Sequence, residues 1–529
     1  MPKSRHLLRE DITYSTARKE EVNILHRLGY YDQQNEFFAR ISDSRGWIQA
    51  VVAYHLGLTS PDECQVADIV DWLHGSFNVC VPVTINNWKN SRQTGQRVLL
   101  RLPLPYRVGE SFHPGNVDEK IRCEAGTYAW LQDNCPDVPI PKLYGFALST
   151  GETFTHIENL PFLSSCFQHL RRLLLSYLNR QVPTRYVPCP STRLLDQRTL
   201  RTGYILVEYI EGTTGEMLSS TWKKRHNDTQ LRTNLFRDLA RILLSVSQLS
   251  LPKIGSLVID HSGFLQLINR PLSLEIQDLE NERIPTHIAR DYTYSTVGSY
   301  ITDILGVHDS RLINQPNAIN DSGDYLYQAS ALTAMRAVLP SFFRRELCRG
   351  PFVLSFTDLH PSNIFVDKDW HITALVDLEW ACARPVEMIR TPTWLTNQAV
   401  DEIAETPEEY DQMRAEFVDT LRTEEDRSGF TGFVGSNCES RLSTIMGKGW
   451  ESGAFWYSLA LASPTGLFSV FYKQIQPRFL KYCSDQDGCD TFHQAMPWYW
   501  SQDFVRIGAR KLADKKEYDI RLREEFQDE

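Results

Sequence analysis

The stretch Leu354–Trp380, LSFTDLHPSNIFVDKDWHITALVDLEW, holds the residues whose types and spacing can do chemistry. Asp358 is followed by Asn363 five residues on and by Asp377 nineteen residues on. Two short apolar runs, Ile364–Val366 and Thr373–Val376, lie between the Asn and the second Asp. A carboxylate held in a loop can accept the proton of an attacking hydroxyl. An amide oxygen and a second carboxylate at a strand end offer hard oxygens to Mg²⁺, which takes one or two ligands from protein and the rest from phosphate and water. The metal then neutralises charge on the β- and γ-phosphates of a nucleotide. The pattern suits phosphoryl transfer. Each residue alone is weak: Asp-x-x-x-x-Asn occurs in many loops, and Asp377 could cap a turn. The order, spacing and intervening strands together carry the reading.

On these motifs the sequence resembles the aminoglycoside phosphotransferase and choline kinase branch of the protein-kinase-like fold, closest to a fungal group of phosphotransferase-family proteins. The family's catalytic loop, roughly H-G-D-L-H-P-G-N, appears as Phe356-Thr357-Asp358-Leu359-His360-Pro361-Ser362-Asn363. Its metal motif, I-D-F/W-E, appears as Val376-Asp377-Leu378-Glu379. The resemblance implies Asp358 as catalytic base, Asn363 and Asp377 as magnesium ligands, and Glu379 as a nearby helper. It implies ATP and Mg as cofactors and places the nucleotide loop at Gly75 and Ser76. Arg101 falls at the phosphate-contacting cation of the third strand and Glu124 at the helix glutamate that sets it. Glu208, Tyr209 and Ile210 fall at the hinge that would take adenine. The match spans roughly residues 65–400. Two positions depart from the pattern: Phe356 replaces the loop's first His, and Arg101 replaces the usual Lys with a different donor geometry.

The elements that must position these groups are legible from pattern. Gly75–Val83 and Arg97–Pro103 read as two strands of a hairpin around the polar stretch Asn86–Gln96. Val117–Asn134 reads as a helix ended by the prolines that follow. Glu20–Gly29, Thr229–Leu251 and the chain after Thr406 read as helical, and Thr202–Tyr209 and Val353–Phe356 as strands. Asp514–Glu529 reads as a solvated helix or tail. Leu160–Asn179 carries Leu163, Phe167, Leu170, Leu174 and Leu178 along one stripe, with Arg171, Arg172 and Arg180 beside it. That stripe predicts a helix packed on the domain or, alternatively, one docked on a membrane surface or a partner.

Composition removes several classes of function. The 529 residues are 42% hydrophobic and 23% charged, which is globular, and the length suits several units. A net charge of -10 with no long basic run argues against a nucleic-acid binder. The 11 cysteines show no C-x-x-C spacing, and Cys483 and Cys489 lack a matching pair, so reduced thiols in a cytoplasmic setting are expected. Acids at Glu10 and Asp11 speak against a mitochondrial presequence, and no secretory signal is visible. Gly453–Tyr472 is uncharged but broken by Ser463-Pro464-Thr465-Gly466, so two buried helices are expected there and no membrane span. Glu387 could meet a substrate or anchor its loop. Trp450, Trp456, Trp498 and Trp500 could line a pocket or fill the core.

The expectation is an α+β, two-lobed protein-kinase-like fold with a helical C-terminal extension. Residues 1–60 form an N-terminal helical flank, 61–212 a sheet-based lobe with the inserted helix 160–179, 213–400 a helical lobe with both loops, and 401–529 the extension over the acceptor side. The expected activity is an ATP-dependent small-molecule kinase acting on a hydroxyl acceptor. The alternative is a catalytically weak or dead pseudokinase-like scaffold, motivated by Phe356. The absence of Asp-Phe-Gly and Ala-Pro-Glu makes a protein kinase the weaker reading.

Overall fold

Asn23 accepts a hydrogen bond from the backbone N of His26, so helix α1 (Ile24–Leu28) starts inside the expected Glu20–Gly29 segment. Gly29 does not end the helical path: α2 (Tyr30–Asp43) begins at the next residue, and α3 (Arg45–Leu56) follows. The structure, a computed structural model, describes residues 4–86, 88, 96–189, 200, 202–430, 432–433, 440–479 and 486–527. Most of the expected turn at Asn86–Gln96, residues 190–199, and the side chains of Cys483 and Cys489 lie outside the described residues. The eight described cysteines are free thiols.

One antiparallel sheet builds the first lobe. Its strands are β1 (Cys64–Val66), β2 (Leu73–His74), β3 (Asn78–Ile85), β4 (Arg97–Pro103), β5 (Leu143–Ala147), β6 (Thr153–His156), β7 (Tyr186–Cys189) and β8 (Tyr204–Glu208). The spatial order is β1-β3-β4-β8-β5-β6-β7, with β2 also pairing β3. The expected hairpin is β3–β4, with Val81 opposite Leu100. Strand alternation sends successive side chains to opposite faces. Along β8, Tyr204 and Leu206 join the cluster under α2 and α3, while Ile205 and Val207 join the main core. Helix α4 (Asn116–Asn134) lies on that second face and carries Ile121 and Tyr128 into the main core. Helix α5 (Phe162–Tyr177) is inserted between β6 and β7. None of its residues is buried, so the expectation that its apolar stripe packs on the domain is corrected.

The second lobe is mainly helical. Helix α6 (Thr229–Ser247) stops before the expected Leu251, because Leu251 donates its N–H to Phe352 and joins sheet structure instead. The hairpin β9 (Ser256–Ile259) and β10 (Leu265–Asn269), then α7 (Val297–Asn314) and α8 (Ser322–Val338), lead to the strands that flank the loops. These are β11 (Phe352–Phe356), β12 (Ile364–Val366), β13 (Ile372–Leu375) and β14 (Ala381–Pro385); β11 pairs β14 and β12 pairs β13. Beyond them lie α9 (Pro407–Ser428) and the short α10 (Ala454–Leu461), which is fully buried and ends before the Ser463–Gly466 turn. Among the described residues no helix is long and apolar enough to cross a membrane.

The C-terminal segment corrects a second expectation. Helix α11 (Phe504–Glu525) is not simply solvated: Tyr518 and Leu522, four residues apart, are buried against Ile12, Ala17 and Ile24. The Tyr518 hydroxyl accepts from the backbone N of Ile24 at 3.0 Å. The two ends of the chain therefore close on each other.

Candidate active site

A tight turn separates β2 from β3, closed by Gly75 N donating to the Asn78 carbonyl at 2.9 Å. Gly75 and Ser76 sit on this turn, above a cleft of about 650 Å³ between the lobes. Glu208, Tyr209 and Ile210 line its hinge side; Asp358, Asn363 and Asp377 line the opposite side. The hinge is pinned from outside the cleft. The Arg97 guanidinium lies 4.0 Å from the centre of the Tyr209 ring, and Lys142 N donates to the Glu208 carboxylate at 3.1 Å.

Arg101 is central to β4 and buried. Its Nη1 pairs with Glu124 of α4, and its Nη2 lies 2.6 Å from both Asp377 Oδ1 and Glu379 Oε2. A planar fork of donors suits this three-carboxylate role better than an ammonium would. Burial opposes the charge, but the carboxylates of Asp377, Glu124 and Glu379 outweigh it and hold the guanidinium well above its ordinary pKa. Lys120, one turn before Glu124, is also buried. Its Nζ lies 2.7 Å from Asn78 Oδ1 and 3.1 Å from Glu379 Oε1, while Asn78 Nδ2 donates to the same Glu379 oxygen at 3.0 Å. Both Glu379 oxygens are thus engaged. Although burial acts against it, Arg101 and Lys120 bring the Glu379 carboxyl down to about 2. Glu379 anchors the two cations. Asp377 keeps its side chain 41% exposed.

The loop Thr357–Asn363 is held from three directions. Asn363 Nδ2 donates to the Asp358 carbonyl at 2.9 Å and to Asp358 Oδ2 at 3.2 Å. Thr357 Oγ1 donates to the Trp380 carbonyl, and Trp394 Nε1 to the Leu359 carbonyl, each at 2.6 Å. Phe356, where the family has His, packs as a half-buried apolar side chain against the core. His360 caps the short turn Pro361–Asn363, its Nδ1 accepting from Ser362 N at 3.3 Å. Burial, followed by the charges of Glu379 and Asp377, pushes the Asp358 carboxyl up to about 7. That places it close to the poise of a general base working near neutral pH.

Two cations, Arg101 and Lys120, face four carboxylates here: Asp358, Asp377, Glu379 and Glu124. The cluster is short of positive charge, and two hard-oxygen groups border it: the Asp377 carboxylate, with Oδ1 on Arg101, and the Asn363 Oδ1, which accepts from Ser362 Oγ at 3.3 Å. This donor set fits Mg²⁺ supplied with phosphate oxygens. Among the described residues no group of three or more His, Cys, Asp or Glu forms a self-sufficient metal cage.

Several other candidates lie elsewhere. Glu387 accepts from Arg344 Nε at 3.1 Å, anchoring its loop. Trp456 is buried, Trp500 donates to Asp309 at 2.7 Å, and none of the four tryptophans lines the cleft. Sequence reasoning missed Lys120 and Asn78. The only signal for Lys120 was its place four residues before Glu124.

The model of the phosphotransferase enzyme family matches residues 168–388, which take in the hinge and both loops; the chain is similar to that family over this stretch. The match is shorter than the span of 65–400 read from the motifs. Among solved structures, the chain is similar to a Ralstonia eutropha JMP134 protein provisionally named an aminoglycoside phosphotransferase, at 11% identity and TM-score 0.37, covering 89% of this chain and 98% of that one. It is also similar to Plasmodium vivax ethanolamine kinase, at 12% identity and TM-score 0.33, covering 86% and 83%. No curated protein matches the chain.

Proposed function

We propose that the protein transfers the γ-phosphate of Mg-ATP to a hydroxyl of a small molecule. Asp358 orients the hydroxyl and takes its proton. Arg101, held by Glu124, contacts the phosphates. Asn363 Oδ1 and the Asp377 carboxylate hold the metal, which when bound neutralises charge on the β- and γ-phosphates. Gly75 and Ser76 cover the phosphates, and the edge at Glu208, Tyr209 and Ile210 receives adenine. The lobes are 61–212 and 213–400, flanked by 1–60, with the extension 401–529 bordering the acceptor side.

One observation carries this reading: Arg101, Glu124, Asp358, Asn363 and Asp377, drawn from four separate segments of the chain, meet at one cleft between the lobes. The second reading, a weak or inactive nucleotide-binding scaffold, is favoured by the Arg101–Asp377 contact, which engages the carboxylate offered to the metal.

The test is transfer of labelled γ-phosphate from ATP to a panel of amino alcohols, sugars and amino sugars. Wild type should phosphorylate at least one acceptor, and Asp358→Asn should lose about 10²–10⁴-fold of that rate. Equal turnover by Asp358→Asn would overturn the assignment. Mg-ATP binding with no transfer to any acceptor would favour the scaffold.

A further inference from the structure

An amphipathic helix on a water-soluble domain turns its apolar stripe to the core. Helix α5 does the opposite. Its half-buried positions are Ser165, Gln168, Arg171, Arg172 and Leu175, so a largely polar stripe lies against the protein. Arg172 donates to the Pro183 carbonyl and lies 3.7 Å from Asp133, while the Arg171 guanidinium stands 6.0 Å from the centre of the Phe264 ring. The opposite stripe, Leu163, Phe167, Leu170 and Leu174, faces solvent. Phe162, Leu163 and Tyr177 are 79%, 80% and 86% exposed. A continuous apolar face left in water on a folded domain marks an interaction surface.

Charge and area identify what covers it. From Leu160 to Cys189 the chain holds Arg171, Arg172, Arg180 and Arg185 and no Asp or Glu, within a protein of net charge -10. Arg172 and Arg185 lean on Asp133, which leaves Arg171 and Arg180 as the basic flank of the stripe. A second copy of the helix is a poor occupant. The 16 residues of α5 make a rod about 24 Å long, so a self-paired stripe about 10 Å wide would bury roughly 500 Å² in total, against the ~1,200 Å² of a specific interface. It would also bring two acid-free, arginine-bearing segments together. An apolar layer beneath a negatively charged surface satisfies both features of the helix. We infer that α5 seats the protein on an anionic membrane surface, its Leu and Phe side chains entering the acyl boundary with Arg171 and Arg180 at the headgroups. No residue of α5 lines the cleft, so this function is separate from the proposed phosphotransfer.

The test is flotation of the full chain with phosphatidylcholine vesicles, with and without phosphatidylserine. Wild type should bind the phosphatidylserine vesicles about tenfold or more better than the neutral ones. Added salt should weaken that binding through screening. The triple variant Leu163→Asp, Leu170→Asp, Leu174→Asp should lose binding while keeping its melting temperature, because all three side chains are exposed. The pair Arg171→Glu, Arg180→Glu should lose only the preference for anionic lipid. Wild type that stays unbound to anionic vesicles, or a triple variant that binds equally, overturns the inference. So does a wild-type dimer, seen by light scattering, that the triple variant splits, since a second copy would then be the occupant.

Discussion

Arg101 Nη2 lies 2.6 Å from Asp377 Oδ1, joining the cation of β4 to the carboxylate at the end of β13. Asp377 is held in the left-handed region, at φ 58° and ψ 58°. Few residues other than glycine adopt that conformation, and it persists where surrounding contacts over-determine it. The guanidinium is such a contact. It links the two lobes and aims the carboxylate into the cleft; Glu379, two residues on, meets the same Nη2, and Glu124 holds Nη1.

Removing that cation should damage folding as well as phosphate binding. Arg101→Met keeps the length of the side chain but takes the guanidinium from buried Glu124 and leaves Glu379 with Lys120 and Asn78 alone. Breaking a buried ion pair from one side costs about 3–5 kcal/mol, and a loss of that size is expected in denaturant unfolding. Arg101→Lys should fall between, since one ammonium cannot span three carboxylates. A loss under about 1 kcal/mol for Arg101→Met would show that the network does not support the fold.

The raised Asp358 carboxyl has two consequences of opposite sign. As a base it works only when unprotonated, so kcat/KM should fall as pH drops through about 7. In the folded protein it holds its proton up to a higher pH than in the unfolded chain, so its contribution to stability declines as pH rises from the ordinary carboxylate range through about 7. Relative to Asp358→Asn, the wild-type protein without nucleotide should therefore lose stability between about pH 5 and pH 8. Parallel melting curves for the two proteins across that window would contradict the raised value.

Trp394 should matter to rate without touching nucleotide. Its indole N–H fixes the Leu359 carbonyl, next to Asp358. Trp394→Phe keeps an aromatic ring and removes the donor. A loosened loop should lower kcat by up to about 10²-fold while KM for ATP stays near wild type. An unchanged kcat would show that the other two braces suffice.

Gly126 is where α4 meets β9. A Cβ there would clash with the Leu257 carbonyl oxygen, which is backbone and cannot move aside cheaply. Gly126→Ala should destabilise the protein by about 1–3 kcal/mol and, by shifting α4, weaken the Arg101–Glu124 pair. Thermal unfolding together with ATP affinity reads both effects; a neutral variant would mean that α4 has room to slide.

The loop residues were legible because Asp358, Asn363 and Asp377 lie within one short stretch whose strands alternate with turns. The β3–β4 hairpin and α4 were legible from periodicity. Lys120 was not. The first half of α4 carries Asp118, Glu119, Lys120, Arg122 and Glu124, a density of charge that reads as solvated, yet Glu119, Lys120 and Glu124 are buried in ion networks with partners distant in sequence. Only tertiary contact supplies those partners. The stripe on α5 was visible, but periodicity shows that a stripe exists and not which way it faces. At the C-terminus, Tyr518 and Leu522 were outnumbered by charges, and their burial depends on the far end of the chain.

The account rests on a Mg-ATP site built on Asp377, and thermal unfolding with and without Mg-ATP, on wild type and on Asp377→Ala, tests it most directly. A ligand at about a hundred times its Kd adds roughly 2.7 kcal/mol of stability. The account predicts an upward shift in wild type that needs Mg²⁺ and is lost in Asp377→Ala. No shift in wild type at millimolar Mg-ATP, or an equal shift in both proteins, would contradict it.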